Sequence, residues 1–226
     1  KSAKKRVLVV GDMQKDYDKK ANIELYGAVQ SPYANDIGPL VPVINRIRSA
    51  AKWDKVIFSL DWLSEEQLKG RAEFCKEGSA GADLLDYLEA DENDIVFKKN
   101  SDDSFCLAGG AREATTGCSK LVDVLSNLGF HPVDTSLYFV GQRFERCILK
   151  TAMHSADLGY DSFVVDEGTY TKDQEPDPEW DLSAPGDQAG PVQASEVYLA
   201  RKGAGRRLAE QYLEWAGVIV VKSVEC

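Results

Sequence analysis

Six short runs of β-branched and other apolar residues, spaced widely along the chain, constrain its fold more than any other feature of the sequence. Each run is continuously apolar rather than alternating, as in strands that are buried on both faces of a parallel sheet. Segments with helical periodicity separate most of the runs, which predicts right-handed crossovers between parallel strands. We therefore predict a three-layer α/β/α fold with a six-stranded parallel sheet, its strands at residues 6–10, 55–59, 94–97, 137–140, 162–165 and 217–221.

Four helices are predicted between these strands, because apolar residues there recur at helical spacing. Thr116 should cap the second of them, since a hydroxyl can accept a hydrogen bond from the free N–H groups of a first turn. Two long stretches, 63–81 and 166–193, lack a regular pattern, and loops of that length are usually lids or oligomer contacts. No repeat or linker divides the chain, so residues 1–226 are predicted to form one domain. The four helices are residues 37–51, 116–128, 147–158 and 207–215.

Composition argues against several classes of partner. The formal charge is -10, with 27 basic and 37 acidic residues, whereas a nucleic-acid-binding protein needs a basic surface. No apolar run reaches the roughly 18 to 20 residues that span a bilayer. Five cysteines without CxxC spacing suit a reducing compartment better than a disulfide framework. We therefore expect a soluble cytoplasmic protein that binds neither nucleic acid nor a membrane.

Polar residues with catalytic potential follow three of the predicted strands. Asp12 follows the first, Lys99 the third and Cys147 the fourth, and ligands of open parallel sheets bind beyond these carboxyl ends. Cys147 is predicted to begin a helix, whose dipole and free N–H groups would favour a thiolate and hold an oxyanion. Lys99 would lower the pKa of the thiol further, and Asp12 could accept its proton. Together these groups could perform acyl transfer.

Each of the three residues has an ordinary structural interpretation when taken alone: Cys147 as a buried hydrophobe, Asp12 as a turn residue and Lys99 as a surface charge. Only their joint placement favours catalysis. A Cys–His pair is excluded, because His154 lies seven residues after Cys147, roughly 10 Å along the same helix at 1.5 Å per residue. His131 lies in a predicted turn, and no ligand spacing indicates zinc. Neither a metal nor another cofactor is predicted.

Four ordered segments resemble the isochorismatase-like hydrolases, which include nicotinamidases and amidases of ureido compounds. Residues 9–17, Val-Val-Gly-Asp-Met-Gln-Lys-Asp-Tyr, are similar to the family's DxQxDF opening. Residues 94–105 resemble the segment in which a catalytic lysine stands six residues before a phenylalanine, which selects Lys99 rather than Lys98. Residues 141–166 resemble the block that carries the catalytic cysteine, and residues 74–83 resemble a nicotinamidase segment.

This resemblance, which covers roughly residues 5–168, implies properties that periodicity alone does not give. It implies the strand order 3-2-1-4-5-6, the catalytic set Asp12, Lys99 and Cys147, and usually a homo-oligomer, here a dimer or tetramer. Asp12 and Cys147 would flank the switch between strands 1 and 4, while Lys99 would reach in from its loop. A small molecule would be the substrate.

This chain departs from the nicotinamidase pattern at the positions that bind the metal. Asp61 falls where that branch keeps a metal-binding aspartate, but Leu63 and Phe74 occupy the positions of its histidines. The resemblance therefore implies that this metal site is lost.

The residues that precede Cys147 also depart from the family pattern, since Arg143 and Phe144 replace a small Ala-Thr pair. By position, the resemblance implies a cis peptide bond between Gln142 and Arg143, with oxyanion-binding N–H groups from Arg143 and Cys147.

The substrate-binding residues are predicted to be Tyr17, Phe105, Arg143 and Phe144. Arg143 and Arg146 could bind a substrate carboxylate through bidentate hydrogen bonds. Alternatively, they point outward, bond to acidic loops, or crowd the pocket and mark a lost activity.

The favoured function is hydrolysis of a small amide or ureido C–N bond through a thioester on Cys147. Two alternatives remain. One is a catalytically silent relative that acts as a binding or assembly protein. The altered residues Arg143 and Phe144 would explain its loss of activity. The other is a hydrolase of vinyl ethers, which would need Asp12 but not the thiol.

Overall fold

Six parallel strands form a single sheet in the order β3-β2-β1-β4-β5-β6, as the resemblance implies. The structure is a computed structural model that describes residues 3–105, 120–171 and 205–224. Strands are added toward one edge of the sheet from β1 to β3 and toward the opposite edge from β4 to β6, so the strand order switches between β1 and β4. These two strands pair directly along seven residues. The strands are β1 (Lys5–Gly11), β2 (Lys55–Asp61), β3 (Ile95–Lys99), β4 (Thr135–Gln142), β5 (Asp161–Tyr170) and β6 (Ile219–Val221).

Both faces of the sheet are covered, which explains the continuous apolar runs. In β1, Val7 and Val9 pack into one hydrophobic cluster, and Leu8 and Val10 pack into the other. Helices α1 and α2 contribute to the cluster of Leu8, and helices α4, α5 and α6 contribute to the cluster of Val7. The predicted three layers are confirmed; the helices are α1 (Lys19–Tyr26), α2 (Leu40–Ala50), α3 (Glu65–Leu68), α4 (Leu121–Asn127), α5 (Leu149–Asp157) and α6 (Gly205–Trp215).

Several boundaries differ from the sequence prediction. Strand β5 continues to Tyr170, into a stretch predicted to be irregular, and helix α1 was not predicted. Helix α1 begins after Asp18, whose side chain accepts a hydrogen bond from the N–H of Ala21, and it ends at Gly27 with φ 76°. The predicted cap at Thr116 and residues 172–193 lie outside the described residues. No helix in the described part of the chain has the length and apolar character that crossing a membrane requires.

Strands β1 and β4 approach closely at their carboxyl ends. Gly11 and Gly141 are register partners there. Gly141 has φ 110°, and a Cβ atom on it would lie 2.1 Å from the carbonyl oxygen of Gly11. Only glycine fits this position, and the two strand ends therefore present their following residues to the same small volume.

Candidate active site

The turn after β1 fixes the backbone of Asp12. This residue has φ 55°, a left-handed conformation that aspartate tolerates better than most residues. Its N–H donates to the carbonyl oxygen of Ser59 at 2.8 Å, and its own carbonyl accepts from the side-chain amide of Gln142 at 3.0 Å. Contacts from the two neighbouring strands thus hold Asp12, whose side chain is buried.

Lys99 is buried beside Asp12, with 1% of the residue exposed. Its Nζ lies 2.9 Å from Oδ1 of Asp12 and also forms an ion pair with Asp61. Lys99 is the last residue of β3 and the register partner of Asp61 in β2, so the expectation that it reaches in from a loop was wrong. Burial disfavours the charged amine, but the carboxylates of Asp12 and Asp61 outweigh burial and raise the pKa of Lys99 well above its ordinary value.

A second set of contacts holds Asp61. The hydroxyl of Tyr17 donates a hydrogen bond to its carboxylate, which Lys99 also contacts. The side chain of Gln14 bonds to both the N–H and the carbonyl of Asp61, at 2.8 and 2.7 Å. Asp12, Lys99, Asp61 and Tyr17 therefore form one continuous buried network of charged and polar groups.

Cys147 lies within a π-helical turn, Phe144–Ile148, that precedes α5. The prediction that Cys147 begins the helix was therefore wrong, because helical backbone starts three residues earlier. The expected stabilisation of a thiolate was also wrong. Burial and the neighbouring carboxylate of Asp12 raise the pKa of the Cys147 thiol well above its ordinary value, and Lys99 lowers it only in part. The resting group is a neutral thiol, which donates a hydrogen bond to Asp12.

Asp12 titrates near neutral pH. Burial raises its pKa, Lys99 lowers it and Asp61 raises it again, with the result that the pKa stands at about 7 instead of 3.8. Near pH 7, a large fraction of Asp12 is therefore ionised and able to accept the proton of Cys147. A base of this pKa is well matched to proton transfer at that pH.

A small pocket opens beside these groups. Five of the predicted site residues line it: Asp12, Tyr17, Gln142, Arg143 and Cys147. Sequence reasoning did not predict that Tyr33, Phe74 and Asp102 also line the pocket, and it considered Arg146 only as one of two alternatives. Tyr33 and Phe74 are in contact, with ring centroids 4.4 Å apart, and they form an aromatic wall.

Two residues predicted to bind substrate lie elsewhere. Phe144 and Phe105 are fully buried in the hydrophobic cluster between the sheet and α4 to α6, and neither lines the pocket. Phe105 packs against Tyr160, and the guanidinium of Arg206 lies over the ring of Phe144. Because a large apolar ring gains more from the core than from a wet pocket, both predictions were wrong. Phe144 consequently does not crowd the pocket.

The segment between β4 and Cys147 places two arginines at the pocket. The peptide bond between Gln142 and Arg143 is cis, at the position that the resemblance implies. Nε of Arg143 lies 2.9 Å from the carboxylate of Glu145. The N–H of Arg146 donates to the carbonyl of Arg143 at 3.1 Å, so the two arginines follow one another across a single turn.

The residues around Asp61 do not fit the metal site of nicotinamidases. Its carboxylate already binds Lys99 and Tyr17, and Leu63 and Phe74 are buried apolar side chains. Within the described ranges, no group of three His, Cys, Asp or Glu side chains could hold a metal ion. His154, which was excluded as a partner of Cys147, contacts buried Asp103 through Nδ1 at 2.8 Å.

Comparison with known proteins places this geometry in a family. Residues 6–184 match the model of the isochorismatase domain. The structure is similar to a nicotinamidase and pyrazinamidase of Acinetobacter baumanii, with 16% identity, a TM-score of 0.66 and 98% of each chain covered. The L. infantum protein PnC1, solved in complex with nicotinate, gives 20% identity and a TM-score of 0.66 over 98% of this chain and 94% of that one.

An N-carbamoylsarcosine amidase from Thermoplasma acidophilum is similar at 19% identity and a TM-score of 0.57, with 98% of each chain covered. A search of curated protein sequences finds no match. Identities this low show the fold alone, whereas the family model covers most of the chain. The chain therefore belongs to the isochorismatase family.

Proposed function

We propose that this protein hydrolyses a small amide or ureido C–N bond through a thioester on Cys147. The observation that carries the proposal is that Cys147 and Asp12 line the same pocket, while Lys99 lies 2.9 Å from the carboxylate of Asp12. The pKa of Asp12, about 7, also suits a general base. The amidases among its structural neighbours agree with this chemistry.

The reaction begins with Cys147 as the nucleophile. Its sulfur bonds to the carbonyl carbon while its proton passes to the carboxylate of Asp12, so no resting thiolate is needed. The carbonyl oxygen becomes an oxyanion, which accepts hydrogen bonds from the N–H groups of Arg143 and Cys147. Lys99 remains charged throughout and keeps the carboxylate of Asp12 in place.

Collapse of this intermediate breaks the C–N bond and leaves an acyl thioester. The leaving nitrogen takes the proton from Asp12 and departs as ammonia or an amine. Water then gives a proton to Asp12 and attacks the thioester, and collapse releases the acid while the sulfur takes that proton back. Atoms and charges balance, and Asp12 serves first as base and then as acid in each half of the reaction.

The test is ammonia release from a panel of small primary amides and ureido acids. Cys147→Ala and Asp12→Asn should each lose at least about a thousandfold in kcat/KM, since removal of a nucleophile or its base eliminates the covalent route. Lys98→Met is the control for Lys99→Met, because Lys98 is the exposed neighbour in the same strand. Rapid quenching followed by peptide mass spectrometry should detect an acyl group on Cys147.

Other results would favour the alternatives. Turnover that survives Cys147→Ala but not Asp12→Asn would contradict the thioester and indicate acid-dependent chemistry such as vinyl-ether hydrolysis. Wild-type protein that releases no ammonia from any compound and forms no acyl adduct would favour the silent relative.

A further inference from the structure

Three buried hydroxyl groups form a chain between strand β2, the segment after β3 and helix α5. Oγ of Ser59 lies 2.8 Å from Oγ of Ser104, which accepts a hydrogen bond from the hydroxyl of Thr151 at 3.4 Å. The N–H of Ser104 also donates to Oγ1 of Thr151, at 3.2 Å. At most 3% of each residue is exposed, so bulk water does not compete for these bonds. This hydroxyl chain therefore ties three elements together inside the protein.

Each end of the hydroxyl chain leads to a group of the catalytic set. The carbonyl of Ser59 accepts the hydrogen bond of the Asp12 N–H at 2.8 Å, and this bond helps to hold the base. Thr151 follows Cys147 by four residues, which is about one turn of helix. The hydroxyl chain thus connects the backbone that holds Asp12 with the helix that follows Cys147.

The base and the nucleophile need such a connection, because they follow different strands. The pairing of β1 with β4 fixes the backbone where Gly11 meets Gly141. Cys147 lies six residues beyond Gly141, so the pairing alone does not fix the direction of α5. A displacement of about 1 Å between reacting groups can lower a rate by about a hundredfold. A contact in the first turn of α5 therefore bears directly on the reaction.

We propose that Ser104 and Thr151 are positioning residues that hold the thiol of Cys147 within reach of the carboxylate of Asp12. They act through Ser59 on one side and through α5 on the other. This inference rests on the proposed function, since the step that it serves is the attack of Cys147 on the substrate. The rival explanation is that the hydroxyls only satisfy one another's hydrogen bonds in the core.

A second hydroxyl pair on the same helix gives a matched control. Ser155, four residues after Thr151, forms a hydrogen bond with Ser162 in β5, and both serines are buried. Ser162 is the second residue of β5, whereas the pocket lies beyond the carboxyl ends of β1 and β4. Ser162→Ala should therefore remove a contact of the same kind without disturbing the pocket.

The experiment compares kcat and KM for a primary amide that the wild type cleaves, at a temperature where urea unfolding shows every variant to be folded. Ser104→Ala and Thr151→Val should each lower kcat about tenfold, because the nucleophile is then less firmly held beside its base. KM should change by less than about twofold, since neither residue lines the pocket. Thr151→Ser, which keeps the hydroxyl, should restore most of kcat, and Ser162→Ala should keep the wild-type value.

A double variant tests whether the two residues form one connection. Ser104→Ala combined with Thr151→Val should be at most about twofold slower than the slower single variant, because both substitutions break the same contact. Losses that multiply would show two independent defects and would overturn the inference. So would equal kcat values for Ser104→Ala and Ser162→Ala in a protein that cleaves amides, and the proposed function would still stand.

Alkylation of Cys147 tests the same contact without turnover. Iodoacetamide, with the product read by peptide mass spectrometry, should modify Cys147 at least about threefold faster in Ser104→Ala than in the wild type, because a loosened α5 uncovers the sulfur. Ser162→Ala should leave the rate unchanged. If no compound is cleaved but this difference is found, the positioning contact stands and the hydrolase proposal fails. If no compound is cleaved and the rates are equal, both are refuted.

Discussion

Replacing Asp12 with asparagine should make the protein progressively more stable relative to the wild type as pH rises from 5 to 8, even as it abolishes turnover. In the folded state, burial and Asp61 raise the pKa of Asp12 from 3.8 to about 7. Asparagine resembles the protonated carboxyl in shape and has no charge to bury. The wild-type residue therefore lowers the free energy of unfolding wherever the solution pH forces it to ionise.

The sign and size follow from the shift in pKa. A carboxyl whose folded pKa is raised contributes stability that is complete below its unfolded pKa and is lost as pH rises through its folded pKa. Between 3.8 and about 7, each pH unit lowers the free energy of unfolding by about 1.4 kcal/mol. The wild type should therefore lose about 3 kcal/mol relative to Asp12→Asn between pH 5 and pH 8. Cys147 and Lys99 do not titrate there, because both have pKa values well above their ordinary ones.

Urea unfolding, followed by tryptophan fluorescence at pH 5, 6, 7 and 8 and constant ionic strength, measures this difference. Asp36→Asn, at an exposed aspartate, is the control for the substitution itself, and its curve should follow the wild type. Parallel pH dependence of the wild type and Asp12→Asn would refute the reasoning. So would a variant that becomes less stable than the wild type as pH rises.

Three further predictions test other contacts of the site. Tyr17→Phe should lower the free energy of unfolding by about 1 to 3 kcal/mol, because the buried carboxylate of Asp61 loses a donor; equal denaturation midpoints would contradict this. Gly141→Ala should lower the free energy of unfolding by about 3 kcal/mol or more, since its Cβ would overlap Gly11. An unchanged melting temperature would show that the strands can separate. Cys147 should react with iodoacetamide more slowly at pH 8 than glutathione does, and fast reaction near pH 7 would contradict the raised pKa.

The sheet could be predicted from the sequence because both of its faces are buried. Alternate residues of β1, such as Val7 and Leu8, enter different hydrophobic clusters, and this produces the continuous apolar runs. Helix α1 could not be found in the same way. Its inward face includes the polar residue Asn22, whose amide bonds to the carbonyls of Lys15 and Asp18 instead of packing in an apolar stripe.

The site was predicted in part, and the missing part depends on tertiary contacts. The resemblance selected Lys99 rather than Lys98, and the structure buries the first and exposes the second. The ion pair of Lys99 with Asp61 could have been predicted from the sequence, since both residues end neighbouring strands. No sequence signal indicated where Phe144 would lie, because an aromatic residue before a catalytic position suits a pocket wall and a core equally well.

The pairing of Lys99 with Asp61 also bears on how the edge of the sheet assembles. Strand β3 is a five-residue edge strand, and a slip of one residue would turn Lys98 inward and Lys99 outward. A slip in one direction would place Asn100 opposite Asp61 and leave two buried carboxylates without a cation. A slip in the other direction would place Lys98 there, but it would also turn the buried ring of Phe97 out of the core. Lys99 and Phe97 together therefore fix the register of β3, and a substitution that removes the lysine for chemical reasons also weakens that constraint on the edge strand.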